Sequence, residues 1–168
     1  MSSFTTLLIL FLAILLIYRG IYVVPQSEVY IVERFGKYNK TLTAGLNFII
    51  PFLDKVRHRI SILERQLTGD KISVITKDNV EVFLEATVFY RIVDAASSIY
   101  RIENIDSALD TSSTSIIRSA GGRLDLDSLQ SSRESMNAEI AENLQVAAQI
   151  WGVEVTRTEI TDVEVDET

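Results

Sequence analysis

The chain of 168 residues contains no cysteine. That excludes a disulfide framework, a thiolate zinc site, a cysteine nucleophile and S-acylation. A single histidine, His58, is too few for a histidine metal cluster and a poor basis for a Ser/His/Asp triad. Only two prolines occur, Pro25 and Pro51, and 47% of residues are hydrophobic, so a disordered or collagen-like chain is excluded. Bulk positive charge is also missing. A formal net charge of −7 argues against nucleic acid as a partner. No lysine follows Lys77, which leaves the second half without that base.

The charge that is present is unevenly placed. Residues 19–65 hold eight basic groups (Arg19, Arg34, Lys37, Lys40, Lys55, Arg57, Arg59, Arg65) against four acidic ones, a net of +4. The remainder carries −11. The N-terminal half therefore suits an anionic surface and the C-terminal half does not.

Phe4 to Val24 carries one charge, Arg19. As a helix, those residues would reach about 31 Å, close to the hydrocarbon thickness of a bilayer. Its Phe, Leu and Ile side chains favour insertion by about 5 kcal/mol. Arg19 opposes it by about 3 kcal/mol at most, and less near the end, where its stem can snorkel. No polar face runs through Leu7–Ile17, as a buried core helix would need. Met1-Ser2-Ser3 has no basic residue and Tyr18-Arg19-Gly20 is a poor cleavage site, so the segment reads as an uncleaved signal anchor. Arg19, Arg34 and Lys37 follow the span and place the remainder of the chain in the cytoplasm of a single-pass protein of the cell (inner) membrane.

From Pro25 the first half reads as strands. Ser27–Arg34 is a predicted strand, and Phe35–Asn39 a turn. Val56–Leu67 opens with alternation. Ile72–Thr76 and Val80–Ile92 form a predicted hairpin around Lys77-Asp78-Asn79. The second half reads as helices. Asp94 caps a short one over Ala95–Tyr100, and Asn104 or Asp106 starts a longer one to Ala120, ended by Gly121-Gly122. Ser131-Ser132-Arg133-Glu134 fits a capping box. The helix that it opens closes at Trp151-Gly152, and Val153–Ile160 is a last strand. Strands, then helices, then a strand make an α+β domain over 25–168 behind the anchor at 1–24.

Candidate chemistry is sparse. Asp125 and Asp127 share a face if extended, as a hard-cation pair would, but they precede a predicted helix and read as turn and cap residues. Thr111–Ser115 offers hydroxyls without a base and reads as a polar helix face. Gly121-Gly122 lacks any phosphate-loop context. Neither catalytic residues nor cofactor or metal ligands are assigned. The one excessive apolar stretch is Leu46–Leu53, followed by Lys55, Arg57 and Arg59. An ordinary core strand is one reading. The other is a loop that dips into the near leaflet, with Phe48, Ile49, Ile50, Phe52 and Leu53 among the acyl chains and Lys55, Arg57 and Arg59 at the headgroups.

Six blocks of residues resemble the stomatin/prohibitin/flotillin (SPFH, or band 7) family. They are Val24–Tyr38, Ala44–Val56 with its Pro51-Phe52-Leu53-Asp54, Thr76–Val80, Tyr90–Ala95, Arg133–Asn137 and Trp151–Val163. The subgroup most similar in pattern is the paraslipins. The resemblance implies antiparallel strands with packed helices, and a scaffold that is not an enzyme. It implies homo-oligomers forming a ring or cage, a membrane microdomain, and membrane lipids as partners. An NfeD-type membrane protein is a further implied partner. Relatives regulate membrane proteases, so an adaptor of such a protease is the alternative, docking through Asp125, Asp127, Glu134, Glu139 and Glu142. Family members continue into a C-terminal coiled coil. This chain stops at Asp166-Glu167-Thr168 and reads as truncated before it.

Overall fold

A computed structural model describes residues 3–165. The chain divides between Leu63 and Glu64 into two compact units, where the sequence reads as one body from Pro25.

The first unit starts with helix α1, Ser3–Gly20. A run of Leu and Ile without an interior Gly or Pro sustains it. It ends four residues earlier than the expected span to Val24, because Ile21–Val24 becomes strand β1. That segment is β-branched or aromatic throughout, which favours a strand. Gly20 makes the change of direction possible. A Cβ there would lie 2.6 Å from the Phe48 ring, and the Gly20 carbonyl accepts a bond from the Ile49 N–H at 2.8 Å.

Strand β1 pairs antiparallel with β4, Gly45–Phe48. Between them in sequence lie β2, Glu28–Arg34, and β3, Lys37–Leu42. Strand β5, Asp54–Ser61, follows. These three form a sheet of order β3-β2-β5. Strand β3 was not expected. Its Lys-Tyr-Asn-Lys-Thr-Leu sequence shows no alternation, and among the described residues it pairs only with β2, at a sheet edge where lysines are typical. Both outer strands carry a bulge against β2. The core of this unit is Val24, Tyr30, Val32, Leu42 and Ile49, with Tyr22 and Val56 against it.

The second unit is built on β8, Glu81–Ile92. Its alternate residues Val82, Leu84, Ala86, Val88, Tyr90 and Ile92 are buried, as the predicted pattern requires. Strand β9, Val153–Val165, pairs along one side of it. Strands β6, Arg65–Thr68, and β7, Ile72–Ile75, share the other side. The expected Val56–Leu67 strand is thus two strands, one in each unit, and the last strand runs five residues past Ile160.

Helices α2, Ala95–Tyr100, and α3, Ile105–Gly121, are capped by Asp94 and Asn104. Asp125 caps α4, Leu126–Ser131, with its carboxylate accepting from the Ser128 N–H at 2.8 Å. The expected capping box at Ser131–Glu134 does not form. Ser131 closes α4 by donating its hydroxyl to the Asp127 carbonyl at 2.8 Å, and Ser132 makes no side-chain cap bond to α5, Arg133–Ala148. Helix α5 instead holds by packing. Met136, Ile140, Leu144 and Ala148 are buried at four-residue spacing, each larger side chain contributing about 1.5–3 kcal/mol.

That helix also covers the outer edge of β9. Asn137 accepts from the Ile160 N–H at 3.0 Å, and Gln145 from the Val155 N–H at 2.6 Å. Asn137→Ala would leave a strand N–H without its partner. It is expected to lower stability by about 1–3 kcal/mol, read as a shift of the urea midpoint.

Candidate membrane-contacting surface

Every side chain from Ser3 to Arg19 is exposed, and α1 is an 18-residue helix of mean hydropathy 2.0. Such a helix is long and apolar enough to cross a bilayer. An apolar surface of this extent is not one that a soluble monomer leaves uncovered.

The helix runs into the β1–β4 ribbon without a linker. Ile21 pairs with Phe48 and Val23 with Leu46. Directly opposed residues share a face, and all four are exposed. Tyr22 and Val24 point the other way, into the core. The ribbon therefore continues the apolar surface of α1 beyond its last turn.

Beyond β4 the chain makes a tight apolar tip. The Asp54 N–H donates to the Ile50 carbonyl at 2.9 Å, and the Asp54 carboxylate accepts from the Ile50 N–H at 2.9 Å. Pro51, Phe52 and Leu53 lie between these bonds, and Phe52 is 77% exposed. Of the apolar residues expected at the acyl chains, Phe48, Ile50, Phe52 and Leu53 are exposed. Ile49 is turned inward and buried in the core. Phe52 takes a positive φ of 72°, and so does Phe35 at 51°. Phe35 sits in the β2–β3 turn and is 80% exposed. For an L residue that backbone costs about 1–2 kcal/mol, so each aromatic is displayed against a local preference.

Asp54 holds the tip. Its side chain is buried, and Arg34 donates to both of its oxygens, from Nε at 2.7 Å and from the terminal guanidinium nitrogen at 3.1 Å. Asn39 donates at 3.3 Å. The Arg34 bonds, with the Ile50 N–H helping, hold the Asp54 carboxyl below the usual carboxylate range against the opposing effect of burial. The same bonds raise Arg34. Sequence reasoning passed over this pair and over Phe35, because nothing in a lone Asp after an apolar run marks it as buried. The exposed aromatic in the Phe35-Gly36 turn was a readable signal.

The three expected headgroup cations do not share one face. Simple alternation along β5 would put Lys55, Arg57 and Arg59 together. The bulge at Arg57 breaks the period. Lys55 pairs opposite Glu33 and Arg59 opposite Tyr30, positions an odd number of residues apart on β2 and so on opposite faces. Arg59 lies over the Tyr30 ring, 5.0 Å from its centroid. Arg57 pairs with Glu33 at 3.4 Å. Lys55 and Arg57, with Glu33, Phe35, Gly36, Phe52 and Leu53, line a cleft of about 250 Å³. On the ribbon side, Lys40 donates its ammonium to the Phe48 carbonyl at 2.7 Å, a cation that sequence reasoning did not single out.

The other candidates lie away from this surface. Ser113 is buried in α3 and bonds the Asp110 carbonyl at 2.9 Å. Its cluster is in the second unit, whereas His58 is in the first. Asp125 is used as a helix cap.

Residues 22–168 match the family model described as SPFH domain / Band 7 family. Human mitochondrial stomatin-like protein 2 is 36% identical over 142 residues, covering 84% of this chain and 40% of that protein. An uncharacterized protein of Schizosaccharomyces pombe is 36% identical over 140 residues, with 83% and 40% covered. An uncharacterized protein of Mycobacterium tuberculosis is 29% identical over 161 residues, with 96% and 42% covered. The chain thus spans about two-fifths of the length of the curated relatives it matches.

Proposed function

The chain belongs to the SPFH domain / Band 7 family, and from that premise we propose that it is a single-pass membrane scaffold that self-associates into a ring or cage and delimits a lipid microdomain. The observation that carries this reading is the fully exposed apolar helix α1, continued by the apolar face of the β1–β4 ribbon. Confinement to a plane raises the effective concentration of copies, so weak lateral contacts suffice. Bonding of the Gly20 carbonyl to Ile49 makes the helix end an integral part of the unit, which favours a retained anchor over a cleaved leader. The cations Arg19, Arg34 and Lys37 after the helix support a cytoplasmic position for the chain beyond it, at the inner membrane. In this reading Phe48, Ile50, Phe52 and Leu53 enter the near leaflet, and Lys55 and Arg57 meet its headgroups. An NfeD-type membrane protein is the partner the family pattern suggests.

Alkaline carbonate washing of native membranes tests the anchor. The protein is expected to remain in the pellet; its release as an intact chain would overturn the reading. Crosslinking in the same membranes is expected to give a ladder of self-adducts, and monomer alone would refute the scaffold. A second reading, an adaptor of a membrane protease, draws on the exposure of Asp125, Asp127, Glu134, Glu139 and Glu142 on α4, its cap and α5. A protease recovered at fixed stoichiometry would favour it.

A further inference from the structure

The cleft between the Phe35-Gly36 turn and the Phe52-Leu53 tip has features that simple insertion of an apolar loop does not require. Insertion needs greasy side chains. It does not need a concavity, two cations in its lining, or two turns that each hold an aromatic residue at positive φ. Strained backbone of this kind is a recurring mark of ligand clamps. Gly36, with φ of 80° and nothing within 4 Å of where a Cβ would lie, keeps one wall low.

The charges in the cleft do not cancel. Arg57 is paired with Glu33, while Lys55 makes no ion pair among the described residues. The volume of about 250 Å³ falls below the range of about 300–1,000 Å³ typical of sites that enclose a drug-sized ligand. It suits a polar group of a larger molecule whose remainder lies elsewhere. Position names that molecule. Phe52 is three residues from Ile49, so it lies within about 11 Å of the residue bonded to the last carbonyl of α1.

The geometry points to a site for the phosphodiester headgroup of an anionic phospholipid. Lys55 and Arg57 engage the phosphate oxygens, and Phe35 and Phe52 flank the glycerol end. A net-positive cleft disfavours a headgroup that brings its own ammonium. The inference rests on the reading that the tip lies against the membrane.

The test uses the full chain reconstituted in vesicles of phosphatidylcholine, with or without phosphatidylglycerol. The rate of lysine acetylation is read residue by residue by mass spectrometry. Lys37 is the internal reference, because it is an exposed lysine of the same unit that lines a separate cleft sharing only Phe35 with this one. Phosphatidylglycerol is expected to slow Lys55 about five-fold relative to Lys37. The selectivity is expected to vanish in Arg57→Gln and in Phe35→Ala, both substitutions of exposed side chains. Equal slowing of both lysines, or equal protection in phosphatidylcholine alone, overturns the site. Protection by inorganic phosphate added to phosphatidylcholine vesicles would make the ligand a soluble anion and overturn the lipid assignment. Fluorescence of Phe52→Trp with brominated phosphatidylcholine separates headgroup binding from membrane contact. Quenching without Lys55 selectivity removes the headgroup site and leaves membrane contact standing. Absence of quenching removes the contact itself.

Discussion

Arg34→Ala is expected to destabilise the first unit by about 3–5 kcal/mol near neutral pH, and Asp54→Ala by about 1–3 kcal/mol. The asymmetry follows from where each survivor is left. Without Arg34, a carboxylate that is 1% exposed loses its main counter-ion. Without Asp54, a guanidinium that is 38% exposed turns to water. Asp54→Ala still frees the Ile50 N–H, so the tip loosens in both variants.

The pH dependence is expected to be weaker in Arg34→Ala than in the parent. In the parent, the folded-state pKa of Asp54 is depressed. Its contribution is therefore complete above the unfolded value of about 3.9 and is lost as pH falls through the lower folded value. In Arg34→Ala the main bond that lowers this pKa is gone and burial opposes what the Ile50 N–H still supplies, so the depression shrinks and acid costs the variant less than the parent. The gap between parent and variant is expected to narrow on acidification. Urea midpoints in detergent micelles at a series of pH values would show it. A gap that widens would mean that the pair does not hold the tip.

Gly152→Ala is expected to cost about 2–5 kcal/mol in the second unit. Gly152 closes the turn after α5 with φ of 69°, a conformation that penalises a Cβ by about 1–2 kcal/mol. The added atom would also lie 2.7 Å from the Asp94 Cβ and against the Asp94 carbonyl, adding about 1–3 kcal/mol of overpacking. The contact cannot relax cheaply. The Gly152 carbonyl accepts from the N–H groups of both Val93 and Asp94, and these fix the cap of α2. Thermal unfolding followed by circular dichroism measures the loss. Gly36→Ala, at a similar φ but in open space, supplies the comparison without the clash and is expected to lose only the backbone part.

The α+β class was legible because its two strongest patterns are half-buried elements. Strand β8 alternates over twelve residues, and α5 repeats Met136, Ile140 and Leu144 at one turn's spacing. Burial on one side forces such periodicity. Strand β3 was silent because an edge strand facing solvent has no reason to alternate. The end of α1 was misplaced for a related reason, since hydropathy treats Ile21–Val24 as more of the same apolar run; Gly20 was the signal that the geometry changes. The candidate surface was half legible. Its apolar stretch stood out by excess, but a bulge leaves no trace in composition. The bulge at Arg57 decides which cations stand beside the tip and sends Arg59 to the ring of Tyr30. Ile49 shows the same limit in miniature, since one inward residue in an apolar run cannot be picked out by its type.

If α1 crosses the bilayer as proposed, the absence of a linker between α1 and β1 makes the protein responsive to bilayer thickness. The eighteen described residues of α1 span about 27 Å, near the thickness of a hydrocarbon core. In a thin membrane the helix matches the slab and the ribbon rides at its surface. In a thicker one the proposed anchor would draw Ile21, Val23, Leu46 and Phe48 inward, because no linker separates β1 from the helix end. Mismatch then sets how deeply the first unit is seated, and copies seated alike would gather where the lipid is of one height.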